Sequence, residues 1–262
     1  MIFPFTRLSY SSGKCGLRLV LLLALLLCLP AKSDTLKLTS LHWPPYSGKK
    51  LVDQGALIAI TRAALNAMGH ELRVDFYPWA RTVRLARRDD SMYLGYFPAY
   101  SYPTQAFIFS ESLGVSSLGL VERQIHPIRW PKLIDLNEYT LGVVRDYVNT
   151  ADLDIMIKQG TQPVEVVSSD EHNIKKVATG RVDGAVIDVH VLRYILARED
   201  LKPLAAKLQI NPKLLEQKQL YVAFKNNPDG HKWRDIVNRG LSKIDAKSIL
   251  DQYMAAVATT NK

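Results

Sequence analysis

The stretch "GALIAITRAALNAMGHELRVDFYPWART", Gly55–Thr82, decides the fold class. Its first half places apolar residues at helical spacing up to Met68 and stops at Gly69, a residue type that commonly follows a helix C-terminus. The segment Glu71–Phe76 alternates apolar and polar side chains, which is typical of a strand. Trp79–Arg88 then returns to helical spacing. The order helix, strand, helix predicts an α/β fold.

Similar alternation surrounds this stretch and restarts later in the chain. Apolar runs at Leu36–Leu41 and Ser91–Phe97 predict strands on either side of it. Two series of this kind predict two α/β lobes, each a sheet flanked by helices. The second series has predicted strands Tyr139–Val144, Pro163–Val167 and Val182–Ile187 and predicted helices Ala151–Gly160, Glu171–Thr179 and Val189–Ala197.

Two extended apolar segments, Val115–Gln124 and Gln219–Pro228, connect the two series and predict strands that cross between the lobes. A helical pattern over Pro228–Ala256 is expected to return to the first lobe. Two crossing strands form a hinge about which lobes close on a ligand. The predicted organisation is residues 34–118 and 222–262 in lobe 1 and residues 119–221 in lobe 2, with hinge strands near 115–124 and 219–225.

Residues 1–33 have the pattern of a secretory signal peptide. A basic segment precedes the apolar run Leu19–Leu29, whose eleven residues are few for a bilayer span. Small residues around Ala31 follow, and cleavage is expected before Asp34, which predicts a periplasmic protein. A membrane anchor and a lipoprotein attached through Cys28 are the alternatives.

Composition excludes several function classes. Both cysteines, Cys15 and Cys28, lie within residues 1–33, so thiol chemistry and disulfides are not expected after that segment. The formal charge is +9, and residues 1–33 carry four basic and no acidic residues, which leaves +5 without a dense basic run. No nucleic-acid partner is therefore expected. The six scattered histidines have no metal-ligand spacing, and no nucleophile elbow or phosphate-binding loop is present, so no metal or cofactor is expected.

Six motifs spread over Asp34–Tyr253 resemble, together and in order, the family 3 extracellular solute-binding proteins. These are the periplasmic receptors of polar amino-acid ABC importers. The resemblance implies a type II-like two-lobe clamshell that binds a small molecule, is not an enzyme, and is expected to be a monomer. The motifs are "WPPY" (Trp43–Tyr46), the stretch Gly55–Thr82, "FIFSESL" (Phe107–Leu113), "IDLNEYTLGVV" (Ile134–Val144), "ATGRVDGAVIDVHVLRYIL" (Ala178–Leu196) and the C-terminal segment from Val222 to Met254.

The sequence departs from this family where the ligand's carboxylate is bound. The family's amino-acid binders have an arginine seven residues before the serine of the Phe-Ser segment, and here that position is Pro103. The second-lobe opening strand is followed by Arg145-Asp146-Tyr147 instead of glycine and a hydroxyl residue. The usual carboxylate clamp is therefore missing or rebuilt, and an ordinary α-amino-acid ligand is not implied.

Aromatic residues that follow strand ends are the main candidates for ligand contacts. Trp43 and Tyr46 flank two prolines where the first strand meets a loop, the edge at which open α/β sheets bind ligands. Trp79 follows Pro78, while Tyr96 and Tyr100 follow the next strand, within a cluster that favours stacking or cation–π contact. The alternative for Trp43 and Tyr46 is packing beneath the loop.

Charged residues complete the candidate set. Arg81 lies at a helix N-terminus, where the helix dipole disfavours a cation, so a bound anion or an aromatic ring would explain it. Arg145 and Tyr147 follow the second-lobe strand, and Arg145 is the candidate replacement for the missing clamp. The resemblance implies that Asp188 accepts the ligand's ammonium group. Solvated arginines are the alternative for both cations.

These features predict a binding protein that captures a small polar or zwitterionic solute by lobe closure and delivers it to an ABC permease. A ligand-sensing subunit for a membrane signalling receptor is the second hypothesis. A dehydratase of cyclic dienyl acids, using Asp188 with Arg81, is the third.

Overall fold

A computed structural model of the chain describes residues 33–260. Residues 1–32 of the predicted signal peptide therefore lie outside the described residues. From Asp34 onward the chain forms one compact unit. Within residues 33–260, no helix combines the length and apolar character that a membrane span requires.

The first sheet is built from the N-terminal part of the chain. Its strands are β1 (Thr35–Ser40), β2 (Glu71–Phe76), β3 (Gly95–Ala99) and β4 (Phe107–Phe109). β1 lies between β2 and β3 and pairs with both in parallel. Because β1 is a central parallel strand, its inward side chains Leu36 and Leu38 are fully buried, as the continuous apolar run requires.

The second sheet follows in the chain. Its strands are β5 (Gly114–Arg123), β6 (Leu141–Val144), β7 (Val164–Val167), β8 (Gly184–Asp188), β9 (Leu208–Ile210) and β10 (Glu216–Lys225). β6 pairs in parallel with β7 and β8, and β5 pairs antiparallel with β8, β9 and β10. Both series of strands therefore have parallel strands connected by helices, as predicted.

The helices cover these sheets. They are α1 (Ala56–Asn66), α2 (Trp79–Arg87), α3 (Ala151–Lys158), α4 (Asp170–Ala178), α5 (Val189–Leu196), α6 (Lys202–Ala205), α7 (Pro228–Leu241) and α8 (Ala246–Thr260). The N-termini of α3, α4 and α7 are capped by the side chains of Thr150, Ser169 and Asn227, each of which accepts a backbone N–H of the first turn. Short 3₁₀ segments at Val52–Gln54 and Leu133–Glu138 complete the structure.

Two strands connect the sheets, which confirms the predicted two-lobe fold. β5 and β10 run antiparallel from Gly114↔Leu220 to Leu118↔Glu216 in the second sheet. β10 then continues into the first sheet, where it pairs with β3 and β4. The residue bounds proposed for the lobes remain a prediction.

Two predicted strands begin later than expected. The strand predicted at Ser91–Phe97 is β3, Gly95–Ala99, because Tyr93 turns back and its backbone N–H donates to Ser91 Oγ over 3.2 Å. The strand predicted from Tyr139 begins at Leu141, because the Thr140 N–H donates to Asp183 Oδ2 over 2.8 Å instead of to a neighbouring strand. Local side-chain partners thus replace ladder hydrogen bonds at both starts.

The C-terminal helices pack against the first sheet's helix. Gly240 of α7 lies against α1, and a Cβ atom there would be 2.1 Å from the carbonyl oxygen of Ala64. This contact is with backbone, so a side chain could fit only if the helices moved apart.

Gly240→Ala is therefore expected to destabilise the protein by about 1–3 kcal/mol through overpacking. Thermal unfolding followed by circular dichroism would show a lower Tm. Arg239→Ala, an exposed position on the same helix, is the matched control and should leave the Tm nearly unchanged. Equal Tm values for both variants would contradict the close helix packing.

Candidate functional site

The loop after β1 carries the first pair of candidate residues. The Trp43 N–H donates to the Ser47 carbonyl and the Tyr46 N–H donates to the Trp43 carbonyl, over 2.8 and 3.0 Å, so the segment folds back as a turn. The rings of Trp43 and Tyr46 stack with centroids 4.7 Å apart. Both side chains are buried, with 7% and 0% exposure. The aromatic pair therefore lies inside the protein, at the end of β1.

Trp79 connects the two lobes. It is the first residue of α2, and Pro78 precedes it at the N-cap. Its indole Nε1 donates to the Asp146 carbonyl after β6 over 2.7 Å. Its ring makes edge contacts with Tyr147 of the same loop, at 5.6 Å, and with Tyr96 of β3, at 5.5 Å. One side chain thus contacts aromatic rings of both sheets.

The tyrosines around β3 form hydroxyl pairs. Tyr96 is fully buried, and its hydroxyl lies 3.2 Å from that of Tyr102. The Tyr100 hydroxyl lies 2.7 Å from Ser116 Oγ on the hinge strand β5. The Lys218 ammonium of β10 lies 4.9 Å from the centroid of the Tyr100 ring. Burial raises the pKa of both Tyr96 and Tyr100, so both hydroxyls stay protonated.

Asp188 is the most densely hydrogen-bonded candidate. Its Oδ1 accepts the backbone N–H groups of His190 and Val191 over 2.7 and 2.9 Å and so caps α5. Its Oδ2 accepts the Ser116 hydroxyl over 2.6 Å and the Tyr46 hydroxyl over 3.1 Å. Tyr46 and Asp188 belong to different lobes, so this carboxylate closes the cleft as well as capping a helix.

A second buried carboxylate lies nearby. Asp170, the first residue of α4, is only 6% exposed. Its Oδ2 accepts the Tyr147 hydroxyl at the long distance of 3.4 Å. Burial and, to a smaller extent, the negative charge of Asp188 raise the pKa of Asp170 to about 7, although the Tyr147 hydroxyl and the Trp43 indole oppose the rise. Burial also raises the pKa of Asp188, against the effect of its hydrogen-bond donors.

A small cavity lies among these rings. It is lined by Leu41, Trp43, Trp79, Tyr96, Pro98, Ala99, Tyr100, Tyr102, Tyr147, Val148 and Leu220. Its volume is ≈ 40 Å³, which accommodates a few water molecules. Cavities that hold small ligands have volumes of about 300–1,000 Å³. A solute therefore fits only if the contacts between the two lobes separate first.

The structure brings most of the predicted site residues together. Trp43, Trp79, Tyr96, Tyr100 and Tyr147 line the cavity. Tyr46 and Asp188 lie directly behind the cavity, where the Asp188 carboxylate accepts hydrogen bonds from the hydroxyls of Tyr46 and Ser116. Whether each of them contacts a ligand remains a prediction.

The two predicted cationic contacts lie elsewhere. Arg81 is exposed, with its guanidinium 4.8 Å from the Tyr77 ring centroid, so an aromatic ring accounts for its place at the helix N-terminus. Arg145 is exposed too, and neither residue lines the cavity. In this conformation no arginine substitutes for the missing carboxylate clamp among the lining residues.

The sequence prediction missed Asp170, Ser116, Tyr102 and Lys218. A signal existed for Asp170, since Ser169-Asp170 follows the strand predicted at Pro163–Val167 and begins a helix, which places it at the carboxyl edge of the second sheet. Ser116 and Lys218 lie within the hinge strands, where nothing in the sequence pattern separates them from ordinary strand residues.

The high pKa of Asp170 has a consequence for stability. An acid whose pKa is higher in the folded state than in the unfolded state stabilises the fold below its unfolded pKa, and that contribution is lost as the pH rises to the folded pKa. For Asp170 this pH range runs from the unfolded pKa of 3.8 to the folded pKa of about 7. As the pH rises through this range, Asp170 should lower the free energy of unfolding by about 4 kcal/mol at most.

Asp170→Asn is expected to flatten this decline, because the amide has nearly the same shape and no charge. Urea unfolding of both proteins at pH 4, 5, 6, 7 and 8 measures the difference in slope. Glu171→Gln, which alters a partly exposed neighbour whose pKa is lowered by hydrogen bonds from Lys175 and Arg198, should keep the wild-type slope from pH 6 to pH 8. Parallel profiles for wild type and Asp170→Asn would contradict the assignment.

Comparisons with known proteins support this architecture through structure alone. No protein-family model matches the sequence, and no curated protein is significantly similar to it. The solved GluR0 ligand-binding core of Nostoc punctiforme, in complex with L-glutamate, is 21% identical, with a TM-score of 0.66 over 83% of this chain and 98% of that one.

Two further solved structures illustrate the range of similar proteins. An amino acid ABC transporter substrate-binding protein of Streptococcus pneumoniae, bound to L-arginine, is 15% identical, with a TM-score of 0.67 over 87% of this chain and 95% of that one. A histidine kinase sensor domain with similarity to periplasmic binding proteins is 16% identical, with a TM-score of 0.68 over 86% and 95%. The described chain thus has the two-lobe fold of the amino-acid-binding periplasmic proteins, which confirms the resemblance found in the sequence.

Proposed function

We propose that this protein is a periplasmic solute-binding protein that captures a small polar solute, an amino acid or a derivative of one, by closure of its two lobes. The observation that carries the proposal is the aromatic cavity between the sheets. It lies at the end of β1, where Trp43 and Trp79 meet Tyr147 of the other lobe, and the hinge strands β5 and β10 connect its two sides.

The contacts across the cleft support closure as the working motion. Two hydrogen bonds join the lobes there, from Tyr46 to Asp188 and from Trp79 to the Asp146 carbonyl. Both involve side chains that neighbour the cavity, so they stabilise the closed form around a solute that has entered while the lobes were apart. A ligand shifts the equilibrium between open and closed forms only by its differential affinity for the two.

Delivery to an ABC importer is the proposed outcome of capture. Its support is the resemblance of the sequence motifs to importer receptors and the similarity in fold to a transporter's substrate-binding protein. The predicted signal peptide at residues 1–33 supports export to the periplasm, and we propose that the protein acts there as a monomer.

A signalling role is the second candidate, and the similarity to a histidine kinase sensor domain favours it. The two roles share the site and differ in the membrane partner that recognises the closed form. The neighbouring genes distinguish them: a permease and an ATPase favour import, while a membrane kinase or cyclase favours sensing.

Binding of a solute can be measured through the thermal stability of the protein. The purified protein is expected to show a higher Tm with its solute in a screen of amino acids, amines, organic acids and peptides, since ligand binding to the folded state stabilises it. No thermal shift with any of these compounds would count against the proposal.

Trp79→Phe tests the cavity's part in binding while keeping an aromatic ring. The substitution removes the indole N–H that donates to the Asp146 carbonyl. One hydrogen bond contributes about 1–2 kcal/mol, so affinity for the solute identified by the screen should fall about tenfold. Isothermal titration calorimetry measures the change. Trp43→Ala, the truncation suggested by the sequence, is less suitable because Trp43 is buried and its loss would cost stability.

Tyr77→Phe is the matched control, because the Tyr77 hydroxyl pairs with Tyr93 and its ring supports Arg81 outside the cavity. Unchanged affinity in Trp79→Phe, or an equal loss in both variants, would contradict the assignment of the site.

A further inference from the structure

The composition of the cavity wall restricts the kind of solute that it favours. Six aromatic rings contribute to the wall: Trp43, Trp79, Tyr96, Tyr100, Tyr102 and Tyr147. The faces of such rings carry negative electrostatic potential and attract cations placed within about 6 Å. None of the lining residues carries a formal charge, so a solute in the cavity meets π faces first.

Two buried carboxylates lie behind this wall. Asp188 is connected to it through Tyr46, which stacks on Trp43, and through Ser116, which pairs with Tyr100. Asp170 is connected to it through the Tyr147 hydroxyl. Each carboxylate, when it is ionised, adds negative potential to the same side of the cavity, within a medium that screens charge weakly.

Asp170 has few donors for a buried carboxylate, which accepts up to about four hydrogen bonds. The Tyr147 hydroxyl is 3.4 Å away, and the Trp43 indole and its own backbone N–H are the other groups that favour its charged form. The Trp43 Nε1 atom is buried and makes no well-formed hydrogen bond. Asp170 and Trp43 together thus have unused hydrogen-bonding capacity beside the cavity.

Nothing in the cavity wall would balance a negative charge on the solute. Arg81 and Arg145 are exposed and lie outside the lining. Lys218, a buried cation beside Tyr100, already donates to the Asn149 carbonyl over 2.6 Å and lies 3.7 Å from Glu216 Oε2. Arg84 and Arg87 line a neighbouring pocket, not this cavity. A solute carboxylate inside the cavity would therefore lie near two buried acids and meet no cation among the lining residues, which disfavours it.

We infer that the cavity binds an organic amine or ammonium cation that carries no carboxylate. The inference rests on the proposed solute-binding function and specifies its ligand class. The positive nitrogen would lie against the aromatic rings on the side of Asp170 and Asp188. Chemically, such a solute corresponds to a decarboxylated amino acid, a polyamine or a quaternary ammonium compound.

The ionisation of Asp170 should make the binding of this ligand class depend on pH. The groups that face it are Asp188 of β8, Tyr147, the Trp43 indole and Tyr100, and the side chains of His190 and Lys218 lie around its neighbours. A cation favours the ionised carboxylate and lowers its pKa from about 7. Binding should therefore tighten as the pH rises from 5 to 8 and should release protons near pH 7.

Matched pairs of compounds test the inference. Isothermal titration calorimetry with the purified protein compares agmatine with L-arginine, putrescine with L-ornithine, and choline with glycine betaine. The members of each pair differ chiefly in a carboxylate. The amine member of at least one pair should bind at least tenfold more tightly than its partner, and its affinity should rise with pH.

Two variants distinguish a specific effect of the Asp170 carboxylate from the general effect of removing one negative charge. Asp170→Asn should weaken binding of that amine about tenfold or more and remove the pH dependence. Glu171→Gln, which removes a carboxylate from the same helical turn outside the cavity, should do neither. Circular dichroism spectra and Tm values confirm that both variants are folded.

The failures are distinguishable. If carboxylate-bearing members bind as tightly as the amines, or if Asp170→Asn binds the amine normally, the ligand class is overturned and solute binding stands. If no pair binds and the compound that binds in the thermal-shift screen carries a carboxylate or lacks a positive nitrogen, the ligand class is again overturned alone. If no compound of either set binds, the proposed function falls with it.

Discussion

The hydrogen bonds to the Asp188 carboxylate are the interaction on which the arrangement of this protein depends. Four donors from three parts of the chain meet there: two backbone N–H groups of α5, Ser116 on the hinge strand, and Tyr46 on the loop after β1. A buried carboxylate without such partners would be very unfavourable. Because the donors come from both lobes and the hinge, satisfying this one group sets the position of the lobes relative to each other.

The aromatic wall follows from the same constraint. Tyr46, held by Asp188, positions the stacked Trp43 ring, and Trp79 reaches across to the Asp146 carbonyl and Tyr147. These contacts leave little open volume. Burial raises the pKa of Tyr46, which contacts Asp188, and of Tyr147, which contacts Asp170. In the closed cleft, neutral tyrosine hydroxyls therefore face carboxyl groups. A cation bound beside these groups would be more favourable than an anion.

Local patterns predicted the elements well, whereas the partners of individual side chains depend on residues that those patterns do not show. Helix α1 and strand β2 have the bounds that periodicity and Gly69 indicated, within a few residues. The strand at Ser91–Phe97 was displaced, because Tyr93 finds partners in Ser91, Tyr77 and Asp75 that no local pattern reveals. Arg81 was expected to have an anion or an aromatic ring as its partner, and the Tyr77 ring four residues earlier is that partner in the structure.

The sequence by itself determined the α/β alternation, the two crossing strands and the aromatic residues at the strand ends, since periodicity and residue type act over a few neighbours. It also showed that the arginine expected for a carboxylate is replaced by Pro103. Only the tertiary structure decided that Asp170 and Asp188 lie close enough to interact electrostatically, and that Arg145 is exposed. The physical reason is that burial and pairing of charges depend on residues far apart in the chain, such as Tyr46 and Asp188, which meet only when the lobes fold together.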